Sequence, residues 1–360
     1  MVRSRLGPTN KGFKLMAQLP SAAASIAPRY DEGRLISGTT GHSMKIQLKE
    51  LGPAFTLLVL CLVFSIASSQ FFSIANAQAI LESSAIPVVL AVGITFIIIQ
   101  GSIDLSIEGV MAASSMVVAL LIANSITAHD CGWLAILAGP AAGVTFGLAN
   151  GLLYTYLRLP SLIVTLATWF IGLGVATLLF PGRQPEILDA RLTMLAIDKQ
   201  FGVSYLVFIA LLVSFIGISL QNFAQFGRMS FAIGMDEKTT RLSGNSVRLH
   251  KVLAFSFMGL LAGMGGAMIS AQLAVGNPSA GQGFLFPTIS AAVIGGTLLS
   301  GGKGGVLHSI IGVLILEVLR NGMVQLGVDP YLRHVIEGII IIAALVVGNW
   351  QLRARTRVVK

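Results

Sequence analysis

Two carboxylates, Asp104 and Glu108, stand four positions apart beyond a Gly-Ser interruption between two apolar runs. On one continuous helix they would share a face and repel. At membrane depth such a pair must reach water, meet a cation or hold a proton. The interruption, Gly101-Ser102-Ile103-Asp104-Leu105-Ser106, breaks a helix at its glycine. Its Ser and Asp oxygens can accept from the amides that open the next helix. Two readings stay open for Ser102, Asp104 and Ser106: part of a path or gate, or a cap at a membrane surface.

A second segment, Gly295 to Gly305, surrounds Lys303 with glycines. A phosphate-binding loop needs Gly, four residues, then Gly-Lys-Ser/Thr. Here Thr297 stands at the first glycine and Gly304 follows the lysine, so the chain carries no ATP site of this kind. Gly301 and Gly302 suit a hinge or a tight re-entrant turn. Glu317 and Arg320 can pair along one helix face, and His308 reads as a packing histidine. The sequence offers no metal-ligand cluster and no nucleophile–base constellation, so neither a cofactor nor a catalytic role is expected.

A third segment, 224–251, mixes charge with small residues. Asp236 and Glu237 followed by Lys238 and Arg241 suit a short helix and its dipole. Leu242, Val247 and Leu249 are too sparse to anchor it firmly in lipid, so docking into a partner's groove is the favoured use.

The elements that must position these segments are set by composition. Of 360 residues, 54% are hydrophobic and 11% charged, with a mean hydropathy of +0.83. A soluble domain carries about 25% charged residues; here the bilayer must be the solvent. Crossing about 30 Å of hydrocarbon takes roughly 20 apolar residues. Such stretches occur near 52–72, 79–100, 106–126, 133–157, 162–180, 204–223, 252–274, 284–300, 305–323 and 333–350. The expected fold is an all-α, polytopic helical bundle of about ten transmembrane helices, since lipid forces backbone groups to pair within the segment.

With both termini inside, 19 of the 24 Lys and Arg residues fall on the inner side, as the positive-inside rule requires. The net charge of +9 therefore marks membrane orientation, not nucleic acid. Residues 1–50 read as a basic, disordered cytoplasmic tail without a signal-peptide core, with Met1 or Met44 as the start. The membrane-embedded body is 51–350, and 351–360 is a second basic tail. The loop 181–203 is assigned to the outer side and 224–251 to the inner. Cys61 and Cys131 form no framework.

Gly143, Gly147 and Gly151 recur every fourth position, as do Gly259 and Gly263. Such stripes let membrane helices approach closely. A faint similarity between 92–110 and 293–313, each an apolar run, a Gly/Ser break and another run, hints at two related halves.

GSIDLSIEGVM (101–111), GMDEKTTRLSGNS (234–246) and GQGFLFPTISAAVIGGTLLSGGKGGVLHSIIGVLIL (281–316) together resemble the permeases of bacterial ribose-type ABC importers. The resemblance covers roughly 50–350. It implies an inner-membrane, multi-pass subunit working as a pair, with a cytosolic ABC ATPase and a periplasmic sugar-binding protein as partners. It also implies that 234–246 forms a coupling helix in the ATPase groove, with Gly234, Asp236, Glu237, Arg241, Ser243 and Gly244 at the contact. Thr239 and Thr240 replace two small alanines of the family pattern, and Asn245 an apolar residue, which leaves open which ATPase is recognised. The competing class is a proton- or sodium-coupled transporter. It would place carboxylates in mid-bundle, whereas most here fall at span ends.

Overall fold

The computed structural model describes residues 52–333, 335–340 and 342; the two basic tails lie outside them, as does most of the stretch 333–350. Twelve helices are named in chain order: α1 (Gly52–Ala67), α2 (Ile74–Ile99), α3 (Ile107–Leu121), α4 (Trp133–Tyr156), α5 (Ser161–Leu178), α6 (Ala190–Ile197), α7 (Tyr205–Asn222), α8 (Gln225–Met235), α9 (Glu237–Leu242), α10 (Val247–Leu273), α11 (Leu285–Ile294) and α12 (Val306–Gln325). Residues 330–333 and 335–340 are also helical.

Among the described residues six helices are long and apolar enough to cross a membrane: α2, α4, α5, α7, α10 and α12. The apolar helices α1, α3 and α11 are shorter than expected. At 1.5 Å per residue, α11 reaches only about 15 Å, because Gly295 and Gly296 end it where a longer span was expected.

α2 lies at the centre. From Val88 to Ile99 all its residues are buried, among them Phe96 and Leu90 with no exposure. Packed on all sides, it is apolar on all sides and has no polar face to lose. α4, α5 and α7 instead turn Leu134, Leu152, Phe170, Ile171, Leu211 and Phe215 outward, an arrangement suited to a lipid solvent.

The two glycine stripes are each other's partners. A Cβ on Gly143 would strike the Gly259 carbonyl and Gly263, and one on Gly147 the Phe255 carbonyl. The backbones of α4 and α10 therefore touch directly, the close approach that small residues permit in lipid.

The loop 181–203 holds α6, capped by Asp189, whose carboxylate accepts from the Arg191 amide at 2.8 Å. A two-residue antiparallel pair, β1 (Lys199–Gln200) and β2 (Val203–Ser204), leads into α7. That hairpin departs from the all-helical expectation. Lys199 reaches Glu82 on α2 at 2.9 Å, fixing the loop to the bundle.

The 224–251 segment holds two helices rather than one, and α10 begins five residues earlier than its hydropathy indicates. Arg248 and Lys251 depress the local average but extend the helix.

Candidate functional site

The three segments singled out in the sequence meet at one end of the bundle. The last residue of α2, Ile99, accepts from the Gly302 amide at 2.8 Å. A Cβ on Gly234, near the end of α8, would collide with the Ile99 carbonyl and the Gly302 amide. A Cβ on Gly301 would lie 2.9 Å from the Gly101 amide nitrogen. Gly101, Gly301 and Gly302 all have positive φ (75°, 83° and 74°), which glycine adopts without steric cost. The 101–106 break, the 295–305 turn and the 234–246 segment are thus joined through backbone.

The break itself is extended, and α3 starts at Ile107. Asp104 and Glu108 therefore do not share a helix face, and the expected repulsion is absent. The Asp104 carboxylate, buried with 1% exposure, turns back to accept from the Ser106 amide at 2.8 Å and hydroxyl at 2.6 Å. Ser106 in turn accepts from Asn150 on α4 at 3.0 Å, and Asn150 accepts from Thr168 on α5 at 2.5 Å. The Leu105 amide donates to Thr165 at 3.0 Å. The polar groups of the break find partners within it or on α2, α4 and α5, as burial demands.

Glu108 has a separate task. Its Oε1 accepts from the amides of Gly283 and Leu285 at 3.0 and 3.2 Å. It supplies from α3 the negative charge that the start of α11 favours. The second break is closed by similar means: Gln221 of α7 accepts from the Val306 amide at the start of α12 at 2.6 Å.

α9 forms as its residue types require. Asp236 is the N-cap, accepting from the Thr239 amide at 3.0 Å and its hydroxyl at 2.6 Å. The Thr239 hydroxyl, then its amide, hold the Asp236 carboxyl below the usual range. Ser243 and Gly244 end the helix, with the Gly244 amide reaching the Arg241 carbonyl at 3.2 Å and a φ of 81°. No hydrogen bond joins Ser243 or Gly244 to the break among the described residues.

Glu237 is bound inward instead. Its Oε2 lies 2.7 Å from the Lys251 ammonium, which is 6% exposed. Lys251 also donates to the Tyr154 hydroxyl at 2.8 Å, and that oxygen accepts from Ser102 at 3.2 Å. A continuous polar path runs from α9 through α10 and α4 to the break. Around it lies a cavity of about 630 Å³ lined by Arg158, Arg241 and Arg248, with Glu237 as its one carboxylate among the described residues.

Sequence reasoning missed Lys251, Tyr154, Asn150 and Gln100. Asn150 and Tyr154 did carry a signal, being polar groups inside an otherwise apolar span. Gln100 has both side-chain polar atoms buried without a partner among the described residues.

A family model described as "Branched-chain amino acid transport system / permease component" matches residues 76–345. The chain belongs to this permease family. It is 34% identical over 308 residues to the ribose import permease protein RbsC of Bacillus subtilis, covering 84% of this chain and 93% of that one. The RbsC of Escherichia coli K12 is 32% identical, covering 85% and 95%. The galactose/methyl galactoside import permease protein MglC of the same organism is 31% identical, covering 87% and 98%. A solved metal-chelate type ABC transporter in an inward-facing conformation aligns over 86% of this chain and 98% of its own, at 16% identity and a TM-score of 0.43.

Proposed function

We propose that this permease is the membrane-spanning subunit of an ATP-driven importer for a monosaccharide, resident in a bacterial inner membrane. Ten spans carry the chain across with both termini in the cytoplasm, a count supported by its apolar segments and its Lys and Arg distribution. α11 crosses as a short helix extended by its flanking turns, in the manner of the broken helices of transporters. Two permease copies work with a separate ABC ATPase and a periplasmic sugar-binding protein. The permease itself performs no hydrolysis.

α9 is the coupling helix in this reading. One observation carries it: a short capped helix whose Glu237 holds Lys251, and which directly follows α8, where Gly234 lies against Ile99 and Gly302 beside the 101–106 break. Movement of α9 under a docked ATPase then acts on the break and on the Gly301–Gly302 turn, which together form the gate between outward- and inward-open states. Relatives named as ribose and galactose permeases support a sugar as the cargo.

The test is capture and uptake. Tagged permease, expressed with its gene neighbours in cells lacking ribose uptake, should retain an ABC ATPase on purification and restore accumulation of radiolabelled ribose or galactose. Accumulation should fall with cellular ATP. If an uncoupler abolishes it while ATP stays high, the ion-coupled alternative replaces this one.

A further inference from the structure

We infer that Lys251 is the positioning residue through which α9 acts on the 101–106 break. The inference rests on the coupling reading above and assigns the connection to one side chain.

Taking an ammonium out of water is costly unless good partners replace the lost hydration. Lys251 is 6% exposed and has two partners, Glu237 at 2.7 Å and Tyr154 at 2.8 Å. Glu237 is half exposed, so its own desolvation is small. The clasp is therefore asymmetric: Lys251 cannot release Glu237 without being left buried on a neutral phenol, whereas Glu237 moves with α9. Among the described residues no other carboxylate lines the cavity, and Arg158, Arg241 and Arg248 only add positive charge.

α9 has six residues, of which Thr240 alone is buried. Its hold on the bundle is slight apart from the ion pair. On the far side, Tyr154 accepts from Ser102, the first residue after Gly101. A displaced α9 must either draw Lys251, Tyr154 and Ser102 with it or break a buried pair. The second outcome is the costlier, so the displacement is transmitted.

The experiment uses the full chain with its captured ATPase in inside-out vesicles. Cys61→Ser and Cys131→Ser remove the native thiols, and Ile103→Cys reports on the break. Maleimide labelling is timed with ATP plus vanadate and without nucleotide, and scored per captured ATPase. The parent should show a nucleotide-dependent ratio of rates of about tenfold, the size of typical site-to-site coupling. Lys251→Met and Tyr154→Phe should each bring the ratio close to one. Tyr154→Phe leaves the Glu237–Lys251 pair in place, so loss there reports transmission rather than anchoring. The reversed pair, Glu237→Lys with Lys251→Glu, should recover much of the ratio, because a phenol can donate to a carboxylate as readily as accept from an ammonium.

A parental ratio in Lys251→Met, or a reversed pair no better than the single changes, overturns the role. If Lys251→Met fails to reach the membrane, Glu237→Gln at its half-exposed position takes its place. The same loss is expected there, and a parental ratio overturns the role equally. A parent that captures no ATPase overturns the coupling reading, and this role falls with it.

Discussion

Gly302 donates its amide to the carbonyl of Ile99 at 2.8 Å, across about two hundred residues of chain. The bond ties the turn after α11 to the end of α2, the two places where an apolar helix is interrupted. Gly234 of α8 sits against both partners.

Gly302→Leu should therefore reduce sugar accumulation strongly. At φ 74° a side chain is strained by roughly 1–2 kcal/mol, and its Cβ would also crowd Met235 and the Gly234 carbonyl at 3.1 and 3.2 Å. Gly234→Ala should be worse, since its Cβ meets only backbone. Accumulation of radiolabelled ribose, normalised to permease in the membrane, is the measurement. Unchanged uptake in both would mean that the junction is loose.

The glycine seam gives a stability prediction. Gly143→Ala and Gly147→Ala should each destabilise the detergent-purified protein by about 1–3 kcal/mol, the usual range for overpacking, because the atoms in the way are backbone. Gly174→Ala on α5, with nothing within 4 Å of the added atom, is the control. Thermal unfolding reads the difference, and equal melting temperatures would mean that the seam is not close-packed.

Asp236 makes α9 sensitive to acid. Its folded carboxyl lies below the ordinary value of 3.8 because of the Thr239 hydrogen bonds. A depressed folded value stabilises above the unfolded one and is lost as pH falls through the folded one. Protection of the α9 amides should thus be level from neutral pH down to about 4 and decline only below it. Asp236→Ala should lower protection at neutral pH and flatten that decline. Hydrogen exchange, corrected for the intrinsic rate, follows both; a decline near pH 6 would point to another group.

Gln100 offers a trade between stability and transport. A buried polar group left without a partner costs about 1–3 kcal/mol, so Gln100→Met should raise the melting temperature. If the carboxamide finds partners in another state of the gate, the same substitution should slow uptake. A variant neither more stable nor slower would deny Gln100 both roles.

Much of the scaffold was legible because the signals are local. Ser73, Asp189 and Asp236 cap helices as their types suggest, and the glycine stripes announced close packing before their partner was known. The bounds of α10 were not legible. Hydropathy treats Arg248 and Lys251 as loop residues, whereas Lys251 enters the helix because Glu237, fourteen positions earlier, meets its charge. α8 was missed for a related reason: Gly227 and Gly234 lower its helix propensity, but both are needed where the chain passes against Gln221 and Ile99. The shared helix face considered for Asp104 and Glu108 does not form because the helix starts one residue after Ser106. Each carboxylate answers to a different part of the chain. Contacts between distant segments leave no periodic trace.

Where Gly143 and Gly147 of α4 cross Gly259 and Gly263 of α10, backbone lies on backbone, with no side chain at the crossing to swap rotamers. Such a contact has no graded way to slip. A close-packed seam of this kind favours movement of the two helices together, with Tyr154 and Lys251 near the same end of it.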